Sequence, residues 1–175
     1  YLFDKDSSTP LWNYDTGGAV GAVDISADGE YIIAGTLGHK AFLFDKDSST
    51  PLWTYTAGDD VFSVAISADG EYITVGSKDD TLHLFNRDSN DDIWKASDIH
   101  TDVFSIAMSA DGEYIAVGTQ GNPGEVYLFD KDSSTPVWKK QMGNEDVTSI
   151  DISEDGTYIV AAVNPRDDAS GNGYV

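Results

Sequence analysis

Polar and apolar residues alternate over short stretches of this chain, and the stretches recur. Within residues 60–96, DVFSVAIS at 60–67 alternates large and small side chains, and EYITVGS at 71–77 is rich in β-branched residues. LHLFN at 82–86 and DIWK at 92–95 complete a set of four short runs. Period-two runs of this length predict β-strands. The Asp69-Gly70 pair between the first two predicts a two-residue hairpin turn. No segment keeps a helical period over eleven or more residues.

This four-strand pattern is repeated along the chain. LFDKDSSTPLW stands at 2–12 and again at 43–53, returns as LFDKDSSTPVW at 128–138, and is degraded to LFNRDSNDDIW at 84–94. SADGEYI occurs at 26–32, 67–73 and 109–115, with SEDGTYI at 153–159. Trp12, Trp53, Trp94 and Trp138 hold one place in each unit, spaced by 41, 41 and 44 residues. Tyr31, Tyr72, Tyr114 and Tyr158 hold a second place, and Phe3, Phe44, Phe85 and Phe129 a third.

One antiparallel four-stranded unit cannot bury both of its faces, whereas units stacked radially cover each other. Four strands every ~42 residues therefore predict an all-β fold, a β-propeller with four blade equivalents. The sequence divides into a half blade at 1–18, units at 19–59, 60–101 and 102–145, and a half blade at 146–175. It begins and ends in what reads as a third strand. This leaves two expectations, a segment of a larger propeller or array and a ring closed tail to head. Two such chains making eight blades, by self-association, also fit.

Composition narrows the function classes. The chain has 175 residues, 10 Lys and Arg against 31 Asp and Glu, a net charge of -21 and no Cys. That charge argues against a nucleic-acid partner. The lack of Cys removes disulfides, thiol nucleophiles and thiolate metal sites. No run approaches the ~18 apolar residues of a membrane-spanning helix, and no signal peptide is visible in YLFDKDSSTP. A dense carboxylate shell suits a salty, extracellular or cell-surface setting.

VFSVAISADGEYITVGSKDDTLHLF at 61–85 resembles a WD-repeat unit without its Gly-His and Trp-Asp dipeptides. YLFDKDSSTPLW resembles the tryptophan-docking repeat of pyrroloquinoline-quinone-like propellers. Asp4 to Trp12, Asp45 to Trp53 and Asp130 to Trp138 keep that motif's spacing of eight, with Ser8, Ser49 or Ser134 in place of its Gly. The resemblance implies a propeller with tryptophans that dock each blade on the next. It also implies kinship with acidic archaeal and bacterial surface proteins. The vicinal cysteine pair of the quinone enzymes is impossible here, and their calcium cluster is not recognisable.

Candidate chemistry is sparse. The Asp-x-Asp-x-Ser runs at Asp4, Asp45 and Asp130 resemble half a calcium loop. They lack its central Gly and its twelfth-position Glu, so turn chemistry explains them, with weak Ca2+ binding as the only cofactor in view. Asp24 and Asp151 replace the alanines of the other units, Ala65 and Ala107, in the innermost strand, which makes them channel carboxylates. The SADGE turns and DKDSST loops, predicted on one side of the disc, are nearly invariant. The loops predicted on the other side differ in every unit. They carry the candidate binding residues His39, Lys40, Lys78, Asp79, Asp80, His100, Asn122, Arg166, Asp167 and Asp168. Variable loops on a rigid scaffold are where recognition is commonly placed. The reading is a non-catalytic binding or structural module for a protein or glycan. The alternative is a cofactor- or metal-dependent enzyme fragment with its site in the central channel.

Overall fold

A computed structural model describes residues 1–166 of the chain. It is all-β among those residues. The strands are β1 (Leu2–Phe3), β2 (Pro10–Trp12), β3 (Val20–Ile25), β4 (Tyr31–Thr36), β5 (Lys40–Asp45) and β6 (Trp53–Thr56). They continue with β7 (Val61–Ile66), β8 (Tyr72–Ser77), β9 (Thr81–Asn86), β10 (Asp92–Ala96), β11 (Asp102–Met108), β12 (Tyr114–Gln120), β13 (Glu125–Asp130), β14 (Trp138–Gln141), β15 (Glu145–Ile152) and β16 (Ile159–Pro165). Three sheets are complete four-stranded antiparallel meanders, β3 to β6, β7 to β10 and β11 to β14. β1 with β2, and β15 with β16, form separate two-stranded sheets. These are the repeating blades that the period of ~42 residues predicts.

The turn between the first two strands of a blade is longer than Asp-Gly suggests. Ser67 NH bonds Tyr72 O at 2.9 Å, and Gly70 NH closes back on Ser67 O at 2.9 Å. The loop therefore spans the five residues 67–71, and within it 67–70 form a four-residue turn whose last member, Gly70, takes φ 69°. The Asp69 side chain takes up the extra length. It accepts from Ser67 Oγ at 2.7 Å and from Glu71 NH at 2.9 Å. The same geometry recurs at Asp28, Asp111 and Asp155.

The core lies between blades. Ile33, Ala41 and Leu43 of the first pack against Val61, Val64, Ile66, Ile73, Val75 and Phe85 of the second. Leu82 and Leu84 meet Val103, Ile106, Ile115 and Phe129 of the third in the same way. Each innermost strand carries a register shift at the same point, Val61/Ser63, Val103/Ser105 and Val147/Ser149 among them. The bulge turns Val61, Val103 and Val147 onto glycines of the preceding blade, Gly35, Gly76 and Gly118.

The tryptophans dock as their spacing implies. Trp12 Nε1 donates to Lys46 O at 2.6 Å, Trp53 Nε1 to Arg87 O at 2.8 Å and Trp94 Nε1 to Lys131 O at 2.6 Å. Each indole also lies 5.4–5.7 Å from a phenylalanine of the next blade, Phe44, Phe85 or Phe129. Trp138 has no such pair among the described residues and is 41% exposed.

Candidate functional site

The two rims of the stack are built differently. On the turn rim, backbone bonds run from blade to blade: Ala27 NH to Ala68 O at 3.0 Å, Ala68 NH to Ala110 O at 2.9 Å and Ala110 NH to Glu154 O at 2.9 Å. Gly70, Gly112 and Gly156 lie against the rings of Tyr31, Tyr72 and Tyr114 of the preceding blade. The Asp-x-Asp loops sit on this rim too, tied by Lys46 NH to Glu30 O and Lys131 NH to Glu113 O. Within them Asp45 Oδ1 accepts from Asp47 NH at 2.8 Å and Ser48 Oγ from Thr50 NH at 3.0 Å, which is self-contained turn chemistry. Interblade and turn contacts occupy the invariant residues of this rim, which gives their invariance a structural cause.

The opposite rim gathers the variable loops. The β4–β5 hairpin meets the loop between blades one and two, where Ala57 NH bonds His39 O at 2.8 Å. His39, at φ 62°, places Nδ1 3.7 Å from Asp59 and Nε2 4.0 Å from Asp60. The ring lies between two carboxylates, one facing each nitrogen. One blade further, Asp79 Oδ2 accepts from Gly58 NH at 2.8 Å, and Thr81 Oγ1 donates to Asp79. Burial would raise the Asp79 carboxyl, but these bonds and Ser77 outweigh it and hold it below the usual range. Asp80, at φ 63°, is pushed the other way, by burial and then by Asp102, with His100 opposing. At the third junction Gly121 NH bonds Asp146 at 3.1 Å, and Arg166 pairs with Asp146 at 2.8 Å.

The candidate residues thus fall into three groups along one rim. His39 and Lys40 stand with Asp59 and Asp60. Lys78, Asp79 and Asp80 stand beside Gly58 and His100. Asn122 follows Gly121, the residue bonded to the Asp146 that Arg166 pairs with. Each tip is variable, yet the loop bases are fixed, for example by Thr36 Oγ1 to Lys40 O and Thr119 Oγ1 to Glu125 O. Asp167 and Asp168 lie outside the described residues.

Asp24 and Asp151 lie on β3 and β15, the inner strands of the first four-stranded sheet and of the last described sheet, with β7 and β11 between them. Asp24 Oδ2 accepts from Ile66 NH of the next blade at 2.9 Å and Oδ1 from Ile25 NH at 2.8 Å. Its role at that junction parallels that of Ser63 and Ser105, whose hydroxyls accept from Ile106 NH at 2.9 Å and Ile150 NH at 3.0 Å. Asp151 Oδ1 accepts from Ile152 NH at 2.9 Å. Among the described residues, His39 with Asp59 and Asp60 is the group of three metal-ligating side chains that lie close together, and it includes neither aspartate.

A buried polar cluster escapes a reading by motif. His83 is 1% exposed, with Nδ1 2.9 Å from Asp92, Nε2 3.0 Å from Thr81 Oγ1, and Tyr55 OH 3.2 Å from Nε2. Burial pushes the imidazole pKa down against the pull of Asp92. Nδ1–H donates to the Asp92 carboxylate, and Tyr55 OH stands almost equally near both ring nitrogens, 3.3 Å from Nδ1 and 3.2 Å from Nε2. Burial, aided by Asp92 and Asp79, pushes the Tyr55 phenol up to about 12. The signal lay in the repeat itself. Where the other units have Phe42 or Tyr127, this one has His83, and where they have Pro51 or Pro136, it has Asp92. The two departures fall in one blade because they bond each other. Tyr127 has its own partner, Glu125, to which its hydroxyl donates.

Stacked four-stranded blades, with Trp12, Trp53 and Trp94 each docked on the blade that follows, define a β-propeller of the tryptophan-docking class. A family model described as outer membrane protein assembly factor BamB matches residues 1–153, and the chain belongs to that pyrroloquinoline-quinone-like propeller-repeat family. The comparison with curated proteins gave no match. No helix among the described residues is long and apolar enough to cross a membrane.

Proposed function

We propose that this propeller is a non-catalytic binding module of a secreted or cell-surface protein, presenting its variable-loop rim to a protein or glycan partner. One observation carries the reading, the contrast between the rims. The turn rim joins blades through residues that are nearly the same in every unit, whereas the loop rim joins them through loops that differ in each, as in Ala57 NH to His39 O, Gly58 NH to Asp79 and Gly121 NH to Asp146. Residues not needed for the scaffold are free to be selected for recognition. The family's description, an outer membrane protein assembly factor, supports a protein partner and an envelope setting.

The test uses two variants. One replaces Lys40, Lys78 and His100 of the loop rim by Ser, and the other replaces Lys5, Lys46 and Lys131 of the turn rim. Both are probed on a glycan array and against envelope proteins of the source organism. A ligand held by the parent and by the turn-rim variant, and lost by the loop-rim variant, supports the reading. Equal loss in both, or no saturable ligand, counts against it.

A further inference from the structure

Beside each docked tryptophan, the blade that follows offers a pair of rings. Tyr14, two residues after Trp12, covers one pair, its ring centroid 5.5 Å from Phe42 and 5.2 Å from Phe44. Tyr55, two residues after Trp53, covers the next, 4.9 Å from His83 and 4.8 Å from Phe85. Two residues after Trp94 the same place holds Ala96. The pair beneath it is kept. Tyr127 and Phe129 stand 5.9 Å apart at 17°, and His83 and Phe85 stand 5.8 Å apart at 11°. This third platform has its two rings and lacks the tyrosine that covers the other two.

A cavity of about 180 Å³ opens at that place, floored by Tyr127 and Phe129 and walled by Ala96 and Ile99. These four residues are buried, whereas Asp98, Ser134 and Lys139, which also line it, are exposed. An apolar floor with a few polar groups at the mouth is the usual build of a ligand pocket. Ile99 stands four residues before Val103, as Ala57 stands four before Val61, and its larger side chain leaves the space open. A void of about 150 Å³ in another protein holds one benzene molecule, so this space suits a single six-membered ring. The polar side of the pocket suits a phenol. Tyr55 OH has His83 as its partner, and here Lys139 Nζ, 5.6 Å from the Tyr127 ring centroid, is a donor from which a phenol oxygen can accept.

We propose that this cavity, between β10 of one blade and β13 of the next, is a docking pocket for a tyrosine side chain of a protein partner. The ring of that tyrosine covers Tyr127 and Phe129 as Tyr55 covers His83 and Phe85. The repeat identifies the occupant, because at both other platforms the ring in this place is a tyrosine carried on a polypeptide. The exposed Asp98 carboxylate and Ser134 hydroxyl at the mouth can accept from main-chain N–H groups beside the inserted ring. The pocket uses none of Lys40, Lys78 and His100, so it stands whether or not the loop rim recognises a ligand.

The probes are p-cresol and tyrosine capped as its N-acetyl N-methylamide, titrated into the 175-residue chain while the methyl signals of Ala96 and Ile99 are followed by NMR. Both should give saturable shifts, with a dissociation constant on the order of 1 mM for a single ring, and capped phenylalanine should bind more weakly. Ala96→Tyr supplies the ring from within the chain. It should weaken both probes by about tenfold or more and raise the urea midpoint. If that variant does not fold, Ala96→Tyr with Ile99→Ala, which restores the side chains found at Tyr55 and Ala57, is measured in its place. The proposal is overturned if the parent chain shows no saturable shift at Ala96 and Ile99, or if p-cresol binds and capped tyrosine does not. Equal binding of capped phenylalanine, or undiminished binding in the filled variant, also overturns it.

Discussion

Gly35→Ala tests the interblade packing at one methyl group. A Cβ at this position on β4 would stand 2.5 Å from Val61 Cγ1 and 3.0 Å from Val64 Cγ1. Val61 is fully buried and held by its bulge, so it has no open space to move into. Two effects oppose each other. Replacing Gly by Ala restricts the unfolded chain and stabilises by about 0.4–1 kcal/mol. Forcing a methyl into a filled core costs about 1–3 kcal/mol, so the net change is a loss of about 1–2 kcal/mol. Val61→Ala alone also destabilises, by roughly 1.5–3 kcal/mol for the buried side chain. Together the two substitutions should cost less than their sum, because the shortened side chain makes room for the new methyl. Urea unfolding of the four proteins in a double-mutant cycle gives the coupling, expected in the range of about 0.5–3 kcal/mol. Gly38→Ala is the control, since its Cβ would meet nothing nearer than Thr36 Oγ1 at 3.7 Å. Additive losses, or equal losses at Gly35 and Gly38, would refute the idea that glycine is required there by the close approach of the next blade.

Other predictions follow from the same geometry. Trp53→Ala should cost about 3 kcal/mol in urea unfolding, since it removes a packed indole and leaves the Arg87 carbonyl without its donor. Trp138→Ala should cost far less, because that indole is exposed and has no such pair among the described residues, and equal losses would contradict the docking role. His83 has a depressed pKa in the fold, so its contribution is complete above the unfolded value near ~6.5 and is lost as pH falls below it. Stability measured from pH 7 to 5.5 should therefore fall, and His83→Phe should flatten that part of the profile; an unchanged slope would count against the neutral ring. Asp28, Asp111 and Asp155, held below the usual carboxylate range first by Ser26, Ser109 and Ser153, should add a second loss of stability as pH falls below ~4. Asp111→Asn should weaken that acid transition, as read by circular dichroism.

The propeller was legible because the repeat fixes which residues are equivalent, and equivalence does the work of distant contacts. Trp12, Trp53 and Trp94 announced their docking through constant spacing, and the turn and loop rims separated through invariance against variation. What stayed hidden depended on contacts between positions of different phase. Asp24 reads as a channel carboxylate from its strand alone, and only the neighbouring blade shows it accepting from Ile66 NH. The His39 group needs residues twenty positions apart, and the His83–Asp92 pair needs two departures from the repeat to be read as one event. Asp-Gly alone reads as a two-residue hairpin, whereas the loop is wider because Ser67 Oγ donates to Asp69 across it.

The most direct test of a recognition rim is a photo-activated cross-linker placed at Lys78 on the loop rim and, in a second protein, at Asp47 on the turn rim. Both side chains are exposed. With envelope extract of the source organism, the account predicts one saturable partner captured at Lys78, competed by unlabelled chain and not captured at Asp47. Capture of the same partner at Asp47 with none at Lys78, or no competed partner at either position, would contradict it.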